Sequence, residues 1–395
     1  KRLSLISAHD ALTILRSCIG APNLVYTLRS SPCTGHPQLL QIDNVLRKSL
    51  SCVINVDLSD DQWLQASLPI KLGGLGVRSV SMLAPSAYMA SAAGTLNVQE
   101  LILCQVGCPV DTELDGALTT WSAIGNLVEP VDPSKQQQWD SKVCNYLFSD
   151  LVNRQSNIID KARLLAVSEK HSSDWLCALP ISACGLRLND EAVRVAVGLR
   201  LGAKLCEEHV CPCGEVVDPR GLHGLACRKS AGRLSRHQHL NDLVWRALLK
   251  AGVPAAKEPP GLTHSDSKRP DGVTQIPWDQ GKCLAWDVTV TDTLAASNIS
   301  LSSAAAGAAS EKAAERKVEK YAELAASYTF VPLAFETLGP VNSSAAEFIS
   351  AIGRRAQVAS GDNRACSFLW QRLSIAVQRY NAVCLLGTFE ALQEG

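Results

Sequence analysis

The sequence has no excess of charge of either sign, because 38 lysines and arginines stand against 38 aspartates and glutamates. A chain without net charge has no overall basic field, so any nucleic-acid partner must be met by local patches. The sequence also lacks an apolar run of about 18 residues and a hydrophobic signal segment at its start. These absences exclude a membrane span and predict an intracellular chain. We interpret it as a fragment of a longer protein because no methionine begins it.

The fifteen cysteines are an odd number and are scattered through apolar segments. They lack the density of a small disulfide-stapled domain, so we interpret most of them as buried thiols in a reducing compartment. Hydrophobic residues make up 46% of the chain and charged residues 19%, which favours a globular protein. A chain of 395 residues is too long for one ordinary core, and we expect about two to three domains.

Hydrophobic periods and turn signals divide the chain into four regions. Residues 1–100 and 101–205 have helical periods, whereas residues 206–240 are dense in cysteine, histidine and arginine. Residues 241–395 mix element types, with a helix at 241–251, strands around 271–277 and 283–290, a helix at about 304–327, a strand at 330–335 and two more helices. The fold class predicted is multidomain, with a mostly α-helical first half, a small cysteine- and histidine-rich module and an α/β domain.

Two aspartates of the α/β region fall where neighbouring strands would bring them together. Asp287 interrupts an apolar strand, and Asp271 lies between a proline and a glycine at the edge of a hairpin, with a turn possible at 277–281. Paired carboxylates can hold Mg²⁺ or Mn²⁺, which activates water for phosphodiester cleavage. The alternative is that Asp271 belongs to a turn and Asp287 to a surface strand.

A nuclease of this kind also benefits from a cation near the scissile phosphate. Lys317 and Lys320 lie in a largely apolar stripe of the helix that follows, which makes both candidate functional groups. The alternative is that both extend from a solvated helix face. Glu258 and Glu336 are further carboxylates of this region, and their spacing does not decide whether they lie near the aspartates.

A set of soft ligands precedes the α/β region. Cys211, Cys213, His223 and Cys227 supply the three thiolates and one imidazole of a closed structural zinc site. The glycine after Cys213 permits a tight turn whose amides can point at a sulfur. Because only one residue separates the first two cysteines, Cys206 could replace Cys211 or Cys213, and the alternative to zinc is buried thiols beside a surface histidine.

Basic residues directly follow Cys227, the last of these candidate ligands. They form a local patch in which phosphate contact is the natural interpretation, and the alternative is a solvated helix start. The residues predicted to bind nucleic acid are Arg228, Lys229, Arg233, Arg236 and His237.

Three segments of the α/β region match a known pattern. Arg269-Pro270-Asp271-Gly272, Trp286-Asp287-Val288-Thr289-Val290 and Lys317-Val318-Glu319-Lys320-Tyr321 together resemble the restriction-like endonuclease of non-LTR retrotransposons, a branch of the PD-(D/E)XK superfamily. The superfamily lysine normally follows the second acid by two residues, where this chain has Thr289. The retrotransposon branch takes its lysine from the next helix, which implies Lys317 or Lys320. The knuckle of cysteines and histidine followed by Arg236-His237 is similar to the region preceding that endonuclease.

The first half resembles the thumb that follows the palm in such reverse transcriptases, through Ser7-Ala8-His9-Asp10-Ala11 and Gln62-Trp63-Leu64-Gln65-Ala66 among other segments. Trp175-Leu176-Cys177-Ala178-Leu179-Pro180 is similar to the linker between thumb and knuckle. The Asp60-Asp61 pair indicates a helix start instead of the strand turn of a palm, so no polymerase site is expected. Four cations of this half are candidates for binding an RNA or RNA/DNA duplex, and the alternative is ordinary surface charges: Lys1, Arg2, Arg29 and Arg78.

The resemblance covers nearly the whole chain and implies the carboxy-terminal part of a retroelement protein. It implies an Mg²⁺- or Mn²⁺-dependent endonuclease that nicks target DNA to supply a primer 3′-OH, with structural Zn²⁺ in the knuckle. Target DNA would be the partner, with element RNA as a second one, and the location would be the nucleus. The alternative function is a catalytically inactive, zinc-stabilised nucleic-acid-binding module.

Overall fold

A computed structural model of the chain describes residues 2–103, 112–261 and 269–389. These residues fall into two compact units, Lys1–Gln155 and Ser156–Gly395. The division differs from the four predicted regions. The predicted boundary at residue 100 falls inside a helix that spans Val80–Leu103, and residues 156–205 of the predicted linker belong to the second unit.

The first unit is built from helices, as expected for this half of the chain. Ser7 caps the first helix by accepting from the amide of Asp10. Ser59 and Gln62 form a capping box that starts the fourth helix at Asp60, so the Asp60-Asp61 pair lies in a first helical turn. The helices are α1 (Ala8–Ser17), α2 (Ala21–Ser30), α3 (Pro37–Ile54), α4 (Asp60–Ser67), α5 (Val80–Leu103), α6 (Thr112–Ser122) and α7 (Gln136–Asn153).

The cations considered for duplex binding have different surroundings in this unit. Arg78 pairs with Asp140 at 2.5 Å, and both side chains are about one-fifth exposed. Arg29 is exposed and donates to the Gln136 side chain at 2.8 Å. Lys1 lies outside the described residues. The Arg78 side chain is therefore engaged in a largely buried ion pair within this unit.

The second unit combines helices with two small sheets. Its helices are α8 (Ile158–Ser168), α9 (Asp174–Cys177), α10 (Asp190–Leu201), α11 (Leu222–Ala226), α12 (Ala231–Lys250), α13 (Ile299–Ala304), α14 (Ala308–Lys320), α15 (Ser343–Ser360) and α16 (Ala365–Leu386). Its strands are β1 (His209–Val210), β2 (Val216–Val217), β3 (Ala255–Lys257), β4 (Gly272–Thr274), β5 (Cys283–Thr291) and β6 (Tyr328–Glu336). The predicted order of strand, strand, helix and strand is present, and β3 was not predicted.

The larger sheet is mixed and has the order β3-β4-β5-β6. The first three strands form an antiparallel meander, and β6 runs parallel to β5 after the α13–α14 connection. One face carries Leu284, Trp286 and Val288 into a core with α12, α15 and α16. On the other face Ala285 packs against Tyr321, at the end of α14. A mostly helical chain with a small mixed sheet is thus confirmed.

None of the described helices combines the length and the apolar character that crossing a bilayer requires.

Candidate functional site

The two predicted acids lie opposite each other on neighbouring strands. Gly272 of β4 pairs with Trp286 of β5 in antiparallel register. Asp271 precedes Gly272 and Asp287 follows Trp286, so the same register places the two aspartates across from one another. Side chains of directly opposed residues share one face of a sheet. The hairpin therefore places the two carboxylates on one face of the sheet.

Asp287 is only 3% exposed and lies on the sheet face that α14 covers. Its Oδ1 accepts a hydrogen bond from the Tyr321 hydroxyl at 2.7 Å. Its Oδ2 lies 2.5 Å from Nζ of Lys317, an ion pair without the geometry of a normal hydrogen bond. This buried oxygen accepts no hydrogen bond from the described residues.

Asp271 is held by two donors that meet the same oxygen. Its Oδ2 accepts from the backbone amide of Val288 at 2.6 Å and lies 3.0 Å from Nε2 of His237. The hydrogen bond that the His237 ring donates to Asp271, more than the charges of Asp271 and Asp287, raises the pKa of His237 above its ordinary value. A histidine of the basic patch is therefore part of the acidic centre.

The two candidate lysines differ in what they contact. Lys317 reaches Asp287, whereas Nζ of Lys320 donates to the Tyr321 hydroxyl at 3.1 Å and lies 4.7 Å from the centre of the Tyr321 ring. The geometry therefore favours Lys317 as the lysine of the carboxylate pair.

Tyr321 was not among the predicted site residues, although the segment that carries the resemblance contains it. Its hydroxyl lies 2.6 Å from the carbonyl of Arg269 and 2.7 Å from Asp287, so it joins the two acidic strands. Burial and the hydrogen bond to Asp287 raise the pKa of Tyr321, which keeps the hydroxyl protonated as a donor. Its spacing of four residues from Lys317 was the signal in the sequence, because such residues share a helix face.

Of the two further carboxylates, Glu336 lies away from the acid pair, whereas Glu258 follows Lys257 and is adjacent to Asp271 across the β3–β4 ladder. Glu336 is paired in register with Thr291, four residues beyond Asp287, and its Oε1 accepts from the backbone amide of Ser310 at 3.0 Å. It therefore caps the first turn of α14, where a carboxylate is favourable. Burial raises the pKa of Glu336. Glu258 is exposed, and its backbone amide donates to the carbonyl of Asp271 at 3.0 Å.

The four predicted soft ligands converge. One ligand atom from each of Cys211, Cys213, His223 and Cys227 lies within 4.8 Å of the other three. The sulfurs of Cys211 and Cys227 are 3.8 Å apart, and Nε2 of His223 is 3.2 Å from the sulfur of Cys213. Sulfurs at about 2.3 Å from a tetrahedral zinc ion lie about 3.8 Å from each other. The donor set and its spacing fit a metal ion such as zinc.

The turn that carries the first two ligands, Cys211 to Gly214, supports the same set. Gly214 has φ +97°, a conformation that favours glycine, and its amide donates to the Cys211 carbonyl. The backbone hydrogen bond from Glu215 lowers the pKa of Cys213 and so favours its thiolate. The sulfur of Cys206 instead faces the carbonyls of Asp218 and Pro219 at 3.5 and 3.7 Å. The geometry thus favours the set without Cys206.

The knuckle is anchored to helix α8. Arg220, which lies between the second and third ligands, makes two hydrogen bonds to Asp160 at 2.9 and 3.1 Å. Arg163 also donates to Asp160, at 3.0 Å. Burial would raise the pKa of Asp160, but the hydrogen bonds and charges of both arginines outweigh burial and lower it.

The predicted basic patch divides into a pocket and a buried part. An open pocket of about 370 Å³ is lined by Arg228 and Arg233 from the patch, by His237 and Lys317 from the acidic centre, and by Thr289 of β5. Lys229 is exposed, and its ammonium donates to the Pro212 carbonyl. Two arginines and a lysine thus border one pocket next to the acids.

Arg236 also lines the pocket, but its side chain is buried, unlike those of the other patch residues. It is 2% exposed and donates to the side chain of Asn381 at 2.6 Å, and burial lowers its pKa. This arginine joins α12 to α16, and its burial does not favour the predicted contact with phosphate.

The acid pair offers donor atoms of the kind that a divalent cation prefers. Mg²⁺ and Mn²⁺ prefer carboxylate oxygens and are commonly held by one or two carboxylates together with water. The buried Oδ2 of Asp287 has an unsatisfied acceptor, and the hydrogen bonds to the Asp271 carboxylate described above both use one oxygen. This donor chemistry fits such a cation.

No protein-family model matches the chain, and no curated protein matches it.

Proposed function

We propose that the second unit is a metal-dependent DNA endonuclease that nicks target DNA on behalf of a retroelement protein. The observation that carries the proposal is the opposed pair Asp271 and Asp287 with the Lys317 ammonium on Asp287. Two hard anionic ligands and one cation on the same sheet face are what hydrolysis of a phosphodiester requires.

The residues of the chain would divide the work as follows. Asp271 and Asp287 would hold Mg²⁺ or Mn²⁺, which when bound supplies a nucleophilic water and a counter-charge for the phosphate. Lys317 provides a positive charge beside Asp287 and faces the same pocket as the patch arginines. Arg228 and Arg233 bind the backbone on either side of the cleaved bond, without reading sequence. The knuckle, loaded with zinc, holds the start of this basic segment in place.

A nicking assay tests this function directly. Zinc-loaded protein is incubated with supercoiled DNA and Mg²⁺ or Mn²⁺, and the wild type is compared with Asp287→Ala. We expect the wild type to convert supercoiled DNA to nicked circles and the variant to be inactive. Asp279→Asn, an exposed aspartate of the same hairpin, is the matched control and should retain activity. Equal nicking by the wild type and Asp287→Ala, or none by the wild type, rejects the enzymatic proposal.

A second function is favoured by a separate observation. Asp287 already meets Lys317, and Asp271 meets His237, so the charges of the acids are compensated without a metal while the patch arginines line an open pocket. The chain would then be a zinc-stabilised nucleic-acid-binding module without cleavage activity. DNA binding measured by fluorescence anisotropy, together with no nicking by the wild type, would establish this second function. Element RNA is a further partner to assay, and the proposed location for either function is the nucleus.

A further inference from the structure

His237 occupies a position between the phosphate pocket and the acid pair. It lies in the second turn of α12, and its side chain is about one-third exposed. Nε2 of the ring is 3.0 Å from Oδ2 of Asp271, and the ring lines the pocket together with Lys317. A residue so placed can act on a bound phosphate or on the carboxylate.

The contacts of Asp271 favour the second role. The backbone amide of Val288 meets Oδ2 from β5, and the His237 ring meets the same oxygen from α12. Two donors from different elements restrain the rotation of the Asp271 carboxylate about its Cβ–Cγ bond. They direct Oδ2 toward the strand and the helix, and leave Oδ1 as the oxygen to meet a cation.

We propose that His237 is a positioning residue, which holds the Asp271 carboxylate in the orientation that binds the divalent cation. The inference rests on the proposed metal site, and it differs from the phosphate contact that the sequence predicts for this histidine. Partners that orient a metal ligand through a hydrogen bond typically contribute about 10-fold to 100-fold in metal affinity.

Metal binding is measured apart from cleavage to test this role. The full chain, with its knuckle loaded with zinc, is titrated with Mn²⁺ in a calorimeter without DNA. We expect His237→Ala to weaken Mn²⁺ binding at least about 10-fold. His237→Gln should restore most of the affinity, because its amide nitrogen can donate at about the reach of Nε2. His239→Ala on the same helix, whose ring lies beside Tyr380, is the matched control and should bind Mn²⁺ as the wild type does.

DNA affinity in the presence of a chelator separates the two roles of the histidine. A positioning role leaves the anisotropy titration of His237→Ala unchanged and raises the Mg²⁺ concentration needed for half-maximal nicking. A phosphate contact weakens DNA binding and leaves Mn²⁺ binding unaltered, which overturns the inference. Should His237→Ala fail to fold in a thermal melt, His237→Gln is the deciding variant: we expect it to keep most of the wild-type Mn²⁺ affinity, and a loss of about 10-fold or more would overturn the role.

The inference and the proposed function can fail separately. A wild type that binds Mn²⁺ through Asp287 but never nicks DNA rejects the endonuclease and leaves the role of His237 to the titrations. A wild type that binds no Mn²⁺, or a His237→Ala variant that binds it normally, overturns the inference even if nicking is observed.

Discussion

At the scale of single residues, the burial of the Asp287 carboxylate has a free-energy cost for the fold. A buried charge without a partner destabilises a protein by several kcal/mol, so a strand interior tolerates one only when its neighbours compensate it. Lys317 supplies the charge and Tyr321 the hydrogen bond. The fold therefore maintains a charged carboxylate where a hydrophobic residue would pack at lower cost, which is typical of functional positions.

The contrast between the two lysines gives a first prediction. Lys317→Met should lower the nicking rate about 100-fold, because it removes the cation beside the acid pair. Lys320→Met should lower it less than about threefold, because Lys320 contacts only the ring and hydroxyl of Tyr321. The measurement is single-turnover nicking of supercoiled DNA at saturating Mg²⁺.

Each variant serves as the control for the other, because both replace a lysine of α14 with methionine. Thermal melts monitored by circular dichroism should show both variants folded at the assay temperature. Loss of nicking in Lys320→Met with activity kept in Lys317→Met would reverse the assignment.

Sequence reasoning could predict the opposed aspartates because two short-range rules were sufficient. An aspartate in an apolar strand and an aspartate in a Pro-Asp-Gly edge, separated by one turn, must meet if the strands pair. The choice between Lys317 and Lys320 required the docking angle of α14, and the burial of Arg236 required the position of α16. Both depend on tertiary packing, which spacing along one helix does not contain.

At the scale of elements, the knuckle and helix α12 form a continuous segment. The last ligand, Cys227, precedes Ala231 by four positions, and Ala231 begins the helix that carries Arg233 and His237. The sequence predicted this helix only from Asn241, because its first ten residues are polar and were interpreted as a patch. Strand β3, Ala255–Lys257, was not predicted because three residues beside prolines are too short to show a period.

The choice of ligands in the knuckle gives a second prediction. Cys227→Ser should lower the zinc content from one ion per chain, because the site loses one of its four ligands. Cys206→Ser should keep the full content, since the Cys206 sulfur faces two carbonyls instead of the ligand set. Atomic absorption after gel filtration measures both. A full zinc content in Cys227→Ser would rule out that ligand.

The anchor of the knuckle on α8 gives a third prediction. Asp160→Asn should destabilise the second unit by about 3 kcal/mol, because it leaves Arg163, whose side chain is 7% exposed, without its carboxylate. The free energy of unfolding is measured by urea titration followed by tryptophan fluorescence. Lys161→Ala, an exposed neighbour on the same helix, is the control and should change stability by less than about 0.5 kcal/mol. Equal stabilities of the two variants would contradict the anchoring role.

At the scale of the whole molecule, the balanced charge of the chain has a consequence for association. A protein with 38 cations and 38 anions has no net charge to attract DNA from a distance, so the DNA affinity that we propose depends on the few cations of the pocket. The predicted domain boundaries, by contrast, depended on local turn signals. A boundary between compact units depends on which helices pack together, and the packing of α9 and α10 on α16 joins the predicted linker to the α/β region.

A fourth prediction concerns salt. With Arg228, Arg233 and Lys317 as the phosphate contacts, the logarithm of the DNA association constant should fall with the logarithm of salt concentration with a slope of about −2 to −3. Arg233→Ala should reduce the size of that slope by about 1. Anisotropy titrations in a chelating buffer at several KCl concentrations measure it. Arg316→Ala, an exposed arginine of α14, is the control, and a slope changed equally by both variants would argue against the pocket.

The pocket beside the acid pair is lined by Thr289 as well as by Lys317. One position belongs to the strand of the second aspartate and the other to the helix that follows, yet both border the same space. A positively charged side chain at either position would reach the same pocket. What matters for the site is where the charge lies relative to the acids, whichever element carries the side chain. A fixed spacing along the sequence is therefore an incomplete signature of such a pocket, because the cation beside it belongs to the helix that follows the strand.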